Sequence, residues 1–448
     1  MEEKTQNKNK TVKRIISAVV AVFVVALSFT GGYFTRYATE DKDIRSIRYI
    51  LDCYKKYYYF EQDDVVDIIA GALLDQYSAY YTKEEYELVQ KASKGQREGI
   101  GVSVSKATTE IVEVSGNSPA EKAGVKAGGI IVSVDGNTVE NYEDFDKLLG
   151  AIEPYADLVL GVDYGGETKC FTLQKQEYTQ TYVFYHDDTV YSHFTTNGSG
   201  KVVQTDENLT ADTDIIDDED TGYLRLSMFY GFTGETYVNQ WKNNVAGAAG
   251  QFYSALQTFK QNGKHNLIVD LRGNGGGYVI IAQSIAAHLL ESQGNKTPLF
   301  SVQSYKDGKK EKYYTANTDY SGYGFKKIIF LADENSASAS EMLMGAVLDY
   351  DAKNGTNIVN VVLEQSLDKN GNPVYKSYGK GIMQEHITNY LTGEVVVMTV
   401  AKLFWPISGV CIHGVGLTRE LDERIIESKD GVGNPVDALV TAKNLIAA

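Results

Sequence analysis

The sequence predicts an α/β multidomain chain: an apolar N-terminal span, a short helical region, a small β domain with two helices, and a larger α/β domain. Three observations predict it. The length of 448 residues exceeds one ordinary domain. Residues Ile15 to Thr35 carry no charge over 21 positions. Near Gly95 the apolar period changes from helical to alternating, and from Gly222 apolar strands alternate with helices. Hydrophobic residues make up 43% of the chain, as in globular proteins. A net charge of -16 argues against nucleic acid, since little here could neutralise a phosphate backbone. The scattered cysteines Cys53, Cys170 and Cys411 have neither metal-ligand spacing nor the even count of a disulfide framework.

The elements follow in order. Residues 1–13 are rich in lysine and read as a cytoplasmic tail, and 14–35 as an uncleaved transmembrane signal-anchor, with a cleaved signal peptide as the competing reading. About 20 apolar residues span a bilayer, and the preceding Lys4, Lys8, Lys10, Lys13 and Arg14 hold that end inside. The rest is then extracytoplasmic. Residues 41–95 are helical, with Ile44, Ile47, Ile50 and Leu51, then Val65, Ile68, Ile69, Leu73 and Leu74, at helical spacing. Asp75-Gln76-Tyr77-Ser78 interrupts the pattern, and Thr82 with Glu85 forms a capping box. Packing or self-association is the expected role of these helices.

Residues 96–177 hold strands at 98–104, 111–114, 130–134, 157–162 and 168–173, a short helix after Asn117-Ser118-Pro119, and a second over 142–152. With Gly99-Ile100-Gly101-Val102 on the first strand, this order resembles a PDZ domain. Free N–H groups of such a loop receive a carboxylate while the next strand pairs with an extended peptide. Residues 178–221 are tyrosine-rich and then acidic, with eight carboxylates between Asp206 and Asp220 in no EF-hand spacing. They read as a solvated loop. From 178 to 448 the chain is expected to hold the chemistry. The apolar strand 266–272 runs into Gly275-Gly276-Gly277 and a helix over 279–290. The strand 327–332 runs into Asn335-Ser336-Ala337-Ser338-Ala339-Ser340-Glu341 and a helix over 340–350. In α/β folds, sites gather where strands end and helices begin.

A serine hydroxyl is a poor nucleophile until a base takes its proton. Ser338, between two alanines, would let a substrate backbone approach, while Ser336 and Ser340 remain alternatives or helix caps. Lys380, between Gly379 and Gly381, can act as base only if burial keeps it neutral. Gln384 lies four residues on, near enough to orient the amine. No Gly-x-Ser-x-Gly or His-Glu-x-x-His motif is present in the sequence.

Ser336-Ala-Ser-Ala-Ser-Glu341, Asp270-Leu-Arg272 with Gly275-Gly276-Gly277, and Gly379-Lys380-Gly381-x-x-Gln384 together resemble the carboxyl-terminal processing peptidases, S41-family serine proteases. Asp75-Gln-Tyr-Ser-Ala-Tyr-Tyr-Thr82 resembles the segment before that family's PDZ domain. The resemblance implies a ClpP/crotonase-like serine protease domain with Ser338 as nucleophile, Lys380 as general base and Gln384 as its orienting partner. It implies an oxyanion hole from the amides of Gly277 and Ala339, and a PDZ loop at Gly99, Ile100, Gly101 and Val102 that receives substrate C-termini and gates the site. No cofactor or metal is implied, and the partners are protein or peptide substrates, the membrane, and a second copy of the chain through the N-terminal helices. The chain departs from the family in three places. The 42 residues from Ser338 to Lys380 exceed the usual interval, with a hairpin-like insertion at 366–375. Residues 180–221 match poorly. After His413-Gly414-Val415-Gly416 the chain reads Leu417-Thr418-Arg419-Glu420. The alternative function is an inactive, membrane-tethered peptide-binding scaffold. A Ser-His-Asp esterase would need a histidine beside Ser338.

Overall fold

The computed structural model describes residues 40–57, 65–187, 190–199, 201–208, 216, 218–231, 245–290, 297–315, 323–367 and 371–448. The expected tail 1–13 and span 14–35 lie outside the described residues. Among those described, no helix is long and apolar enough to cross a membrane. The chain divides into two units, 1–72 and 73–448. The first carries α1 (Lys42–Tyr57) and most of α2 (Val65–Leu73). Ile44, Ile47 and Ile50 on α1 are exposed.

The second unit opens with β1 (Ala79–Tyr81) and α3 (Lys83–Ser93), where Thr82 and Glu85 form the expected capping box. A small β domain follows: β2 (Gln96–Gly99), β3 (Val102–Val104), β4 (Ile111–Val114), α4 (Pro119–Lys122), β5 (Ile130–Val134), β6 (Asn137–Thr138), α5 (Tyr142–Gly150), β7 (Asp157–Asp163), β8 (Thr168–Gln174) and β9 (Gln176–Thr179). Asp135-Gly136 makes the expected turn, both residues at positive φ. Ile100, Ile111, Ile131, Phe145, Leu158 and Leu160 close a separate core. Gly101 breaks the expected first strand between β2 and β3. At φ +82° its Cα lies against Ser118, and a Cβ there would come 2.1 Å from Ser118 Cβ.

The solvated loop expected across 178–221 is corrected in part. Residues 183–208 hold β10 (Val183–His186), β11 (Val190–Thr196) and β12 (Val202–Asn208). Val183, Tyr185, Phe194 and Val202 are buried, and that burial turns a polar-looking stretch into sheet. Then come β13 (Thr221–Leu226), α6 (Ala248–Gln261), β14 (Asn266–Asp270), α7 (Val279–Ala286), β15 (Leu299–Tyr305), β16 (Lys310–Tyr314), β17 (Lys327–Ala332) and α8 (Ala339–Asn354). The chain ends with β18 (Val359–Leu363), β19 (Ser366–Leu367), β20 (Pro373–Val374), β21 (Ile382–Thr388), β22 (Val395–Phe404), β23 (Ile425–Glu427) and α9 (Ala438–Ala447).

One sheet runs β12-β11-β10-β13-β14-β17-β18-β23, its last five strands parallel. Alternate residues choose the face. Leu267, Val269, Ile328 and Phe330 share a core with side chains of α6, α7 and α8, while Ile268, Ile329, Leu331 and Val362 share one with Ala438 and Ala442 of α9. A second sheet joins β1, β22, β15 and β16, with β21 on β22. β19 and β20 form the expected insertion hairpin between serine and lysine.

Candidate active site

Strands β14 and β17 are parallel neighbours, with Asp270 opposite Leu331, so the turns after them leave the sheet side by side. Each turn bonds the other. Ala337 N–H donates to the Asn274 carbonyl (3.0 Å), Gly273 N–H to Asp333 Oδ1 (3.0 Å), and the Ser336 hydroxyl to the Leu271 carbonyl (2.8 Å). The Ser340 hydroxyl donates to the Asn274 carbonyl (2.9 Å). Two of the three candidate serines therefore hold the loops together, and Ser338 is the third.

Ser338 stands at φ +58°, ψ -111°, immediately before α8. A non-glycine residue there costs about 1–3 kcal/mol, and such strain collects at functional sites. The residue is 7% exposed. Gly276 presses on it: a Cβ at Gly276 would lie 2.9 Å from Ser338 Cβ, 3.0 Å from Ala339 N and 2.7 Å from the Ala337 carbonyl. Ala339 is the first helical residue, whose N–H has no partner within the helix. Gly277 follows at φ +135° in a bridge to Phe229. The amides of Gly277 and Ala339 thus flank Gly276, whose Cα face meets the serine.

Behind the glycine turn, the buried Asp270 carboxylate takes Arg272 in a fork (Nε to Oδ1 3.0 Å, Nη2 to Oδ2 2.6 Å) and the Tyr223 hydroxyl (2.7 Å). Burial raises the Asp270 pKa, but the guanidinium and hydroxyl outweigh it and hold the carboxyl below its ordinary value.

Lys380 comes from an irregular segment packed on residues 413–416. Gly414 N–H donates to the Gly379 carbonyl (2.8 Å), and a Cβ on Gly381 would meet His413 N at 2.7 Å. This accounts for glycines in both Gly379-Lys380-Gly381 and His413-Gly414-Val415-Gly416. Glu341 joins the two halves. Its Oε2 accepts from the N–H of Ser338 and from that of Lys380, each at 2.9 Å, and its Oε1 from Gly379 N–H (2.8 Å) and the Ser377 hydroxyl. Burial raises the Glu341 pKa against the pull of these four donors.

The Lys380 side chain is half-buried. Burial lowers its pKa, opposed by Asp75 and Glu341. That is the direction a lysine base requires. Its ammonium lies 4.8 Å from the centre of the Tyr77 ring. No hydrogen bond joins it to the Ser338 hydroxyl in this arrangement. Gln384 does not reach it either: a bulge between Met383 and Gln384 sets Gln384 opposite Thr399, where its Nε2 donates to Thr399 Oγ1 (3.0 Å). Glu341, Asp75 and Tyr77 are site residues that sequence reasoning missed. For Glu341 a signal existed, since it stands three residues after Ser338 at capping-box spacing.

In the small domain, Gly99 ends β2, Ile100 is core and Val102 opens β3. β3 pairs with β4 alone among the described residues, which leaves its other edge open. The domain is tied to the neighbouring sheet through Asn117. That buried side chain donates to the Thr179 carbonyl (2.6 Å) and Thr196 Oγ1 (2.7 Å), and accepts from Thr196 N–H (3.2 Å).

Residues 220–358 match the model of peptidase family S41, and residues 99–174 that of the PDZ domain. The S41 match takes in the glycine turn and Ser338 and ends before Lys380. The chain is 26% identical over 387 residues to a probable CtpA-like serine protease of Staphylococcus epidermidis, covering 84% of this chain and 64% of that protein. It is 24% identical over 375 residues to the carboxy-terminal processing protease CtpB of Bacillus subtilis, covering 80% and 63%. The chain thus spans less than two thirds of the length of these curated relatives. A solved photosystem II D1 C-terminal processing protease superposes with a TM-score of 0.46 at 20% identity, covering 84% of this chain and 85% of that one.

Proposed function

We propose, from the premise that this chain is a carboxyl-terminal processing peptidase of family S41 with a PDZ domain, that it cuts protein substrates near their C-termini through an acyl-enzyme at Ser338. The observation that carries the reading is Glu341, whose one oxygen binds the amides of Ser338 and Lys380. It brings a strained serine and a half-buried lysine to one place.

In this reading neutral Lys380 takes the Ser338 proton as Oγ bonds to the substrate carbonyl carbon. The oxyanion that forms is met by the amides of Gly277 and Ala339. The C–N bond then breaks, and the leaving amine receives its proton from the Lys380 ammonium. Water next attacks the ester, giving a proton to Lys380, and Lys380 returns it to Ser338 Oγ as the C–O bond to the serine breaks and the acid leaves. Gln384 orients the amine once it leaves Thr399. The loop Gly99–Val102 receives the substrate C-terminus while the open edge of β3 pairs with its backbone. The segment 14–35, uncharged from Ile15 on, anchors the enzyme with its catalytic part outside, supported by its length and the lysines before it. The exposed Ile44, Ile47 and Ile50 support self-association through α1.

Fluorescein-labelled β-casein, an unstructured protein, tests the reading. Ser338→Ala and Lys380→Ala are each expected to abolish cleavage while leaving the denaturation midpoint near that of the parent. Full activity in Lys380→Ala would sink the dyad. C-terminal peptides bound without turnover by the parent would indicate a scaffold.

A further inference from the structure

The neighbours of the Lys380 ammonium are not those its own strand suggests. Gln384 is engaged with Thr399, and the ammonium lies over Tyr77, from a turn some three hundred residues earlier in the chain. This turn is built to be rigid. Asp75 Oδ1 accepts from Tyr77 N–H (3.0 Å) and from the Ser78 hydroxyl (2.7 Å), and Ser78 N–H donates to the Asp75 carbonyl (3.0 Å). It is also fixed to the site. Ser78 Oγ accepts from Thr399 N–H (3.1 Å), Thr399 being the residue that holds Gln384. The Tyr77 hydroxyl donates to that of Tyr378 (3.3 Å), two residues before the lysine, with the rings edge to face.

We propose that the turn Asp75–Ser78 is the positioning element of the base, with the Tyr77 ring seating the Lys380 ammonium and the Asp75 carboxylate setting the pH at which that ammonium gives up its proton. The inference rests on the reading of Lys380 as base. The charges acting on Lys380 are Asp75 from the turn and Glu341 from α8, and the Tyr77 ring lies under its ammonium with Tyr378 bonded to the Tyr77 hydroxyl. The backbone of His413 packs behind Gly381. Two of these groups are anionic. Glu341 already accepts from four donors and meets the lysine at its backbone, which leaves Asp75 as the carboxylate that tunes the side chain. A ring face and a carboxylate both favour the ammonium, whereas burial favours the amine. The turn therefore holds the proton on until pH rises.

The test is the pH profile of two rates in the full chain: kcat/KM on fluorescein-labelled β-casein, and labelling of Ser338 by a fluorophosphonate. In the second, the Oγ–P bond forms, fluoride leaves and the serine proton goes to Lys380, with no need for the PDZ domain. Asp75→Asn is expected to move the acid limb of both profiles down by about one pH unit, roughly a tenfold gain on that limb. Tyr77→Leu shifts it the same way, and Tyr77→Phe, which keeps the ring, leaves it in place. If Asp75→Asn does not fold, Tyr77→Leu against Tyr77→Phe carries the same comparison. Losses uniform in pH, with an unmoved limb, would overturn the proposal and leave the turn a purely structural part. Lys380→Ala separates the two ideas. A dead Lys380→Ala with an unmoved limb in Asp75→Asn refutes this inference alone, whereas an active Lys380→Ala with the parent's limb refutes the dyad beneath it.

Discussion

Replacing Glu341 distinguishes a carboxylate that merely fills space from one that assembles a site. Alanine there orphans the N–H groups of Ser338, Gly379 and Lys380 and one hydroxyl, Ser377. Each buried donor left without an acceptor costs about 1–3 kcal/mol, so the three amides alone cost on the order of 3–9 kcal/mol. That compares with a typical total stability of about 5–15 kcal/mol, and Glu341→Ala is expected to be largely unfolded or inactive. Glutamine behaves differently because it can choose its flip. With its oxygen in the place of Oε2 it still joins Ser338 to Lys380. Its NH2 then faces Gly379 N–H and the Ser377 hydroxyl, which can turn to accept. One donor, Gly379, is stranded, so Glu341→Gln loses about 1–3 kcal/mol, softened by removal of a buried charge. Urea denaturation supplies the stability difference, and kcat/KM on labelled casein shows whether the two turns still meet. Equal losses in Glu341→Gln and Glu341→Ala, or a Glu341→Ala within about 1 kcal/mol of the parent, would refute the bridging argument.

Two further predictions follow from backbone positions. Gly276→Ala places a methyl within 3.0 Å of Ser338 Cβ, at a φ of +100°. It is expected to cut kcat by about a hundredfold or more while costing about 1–3 kcal/mol, read by turnover and by urea; wild-type turnover would show that the serine turn does not depend on that contact. Asn117 lies at φ +63° with three side-chain bonds to Thr179 and Thr196. Asn117→Ala should lose about 2–4 kcal/mol and expose the segment near residue 180 to limited proteolysis, and an unchanged digestion pattern would count against its role as the tie between domains.

Much of this was legible in the sequence because the signals were local. Asn266–Asp270 and Lys327–Ala332 read as buried strands, the glycine and serine runs fell at their ends, and the Thr82–Glu85 box and the hairpin at 366–375 were found where expected. What stayed hidden depends on distant partners. Residues 183–208 looked like loop because polar residues such as His186 and Ser192 are buried among their strands. Glu341 looked like an ordinary first-turn glutamate, yet its partners 377, 379 and 380 are brought to it by a crossover and a second sheet. Gln384 sits at the right spacing from Lys380, but the bulge at Met383 and pairing with β22 decide where it points. Asp75-Gln76-Tyr77-Ser78 looked like a break between helices, although it lies against Lys380.

The positive φ of Ser338 carries a wider consequence. A glycine would take that conformation without the steric penalty, so the fold by itself favours losing the hydroxyl. The proposed nucleophile sits like a spring held under load by the helix ahead of it and the glycine turn beneath it. Repairs aimed at general robustness are drawn to such a spot, because relaxing it returns free energy to the folded state. On the proposed mechanism, toughness and turnover compete for the same pair of backbone angles.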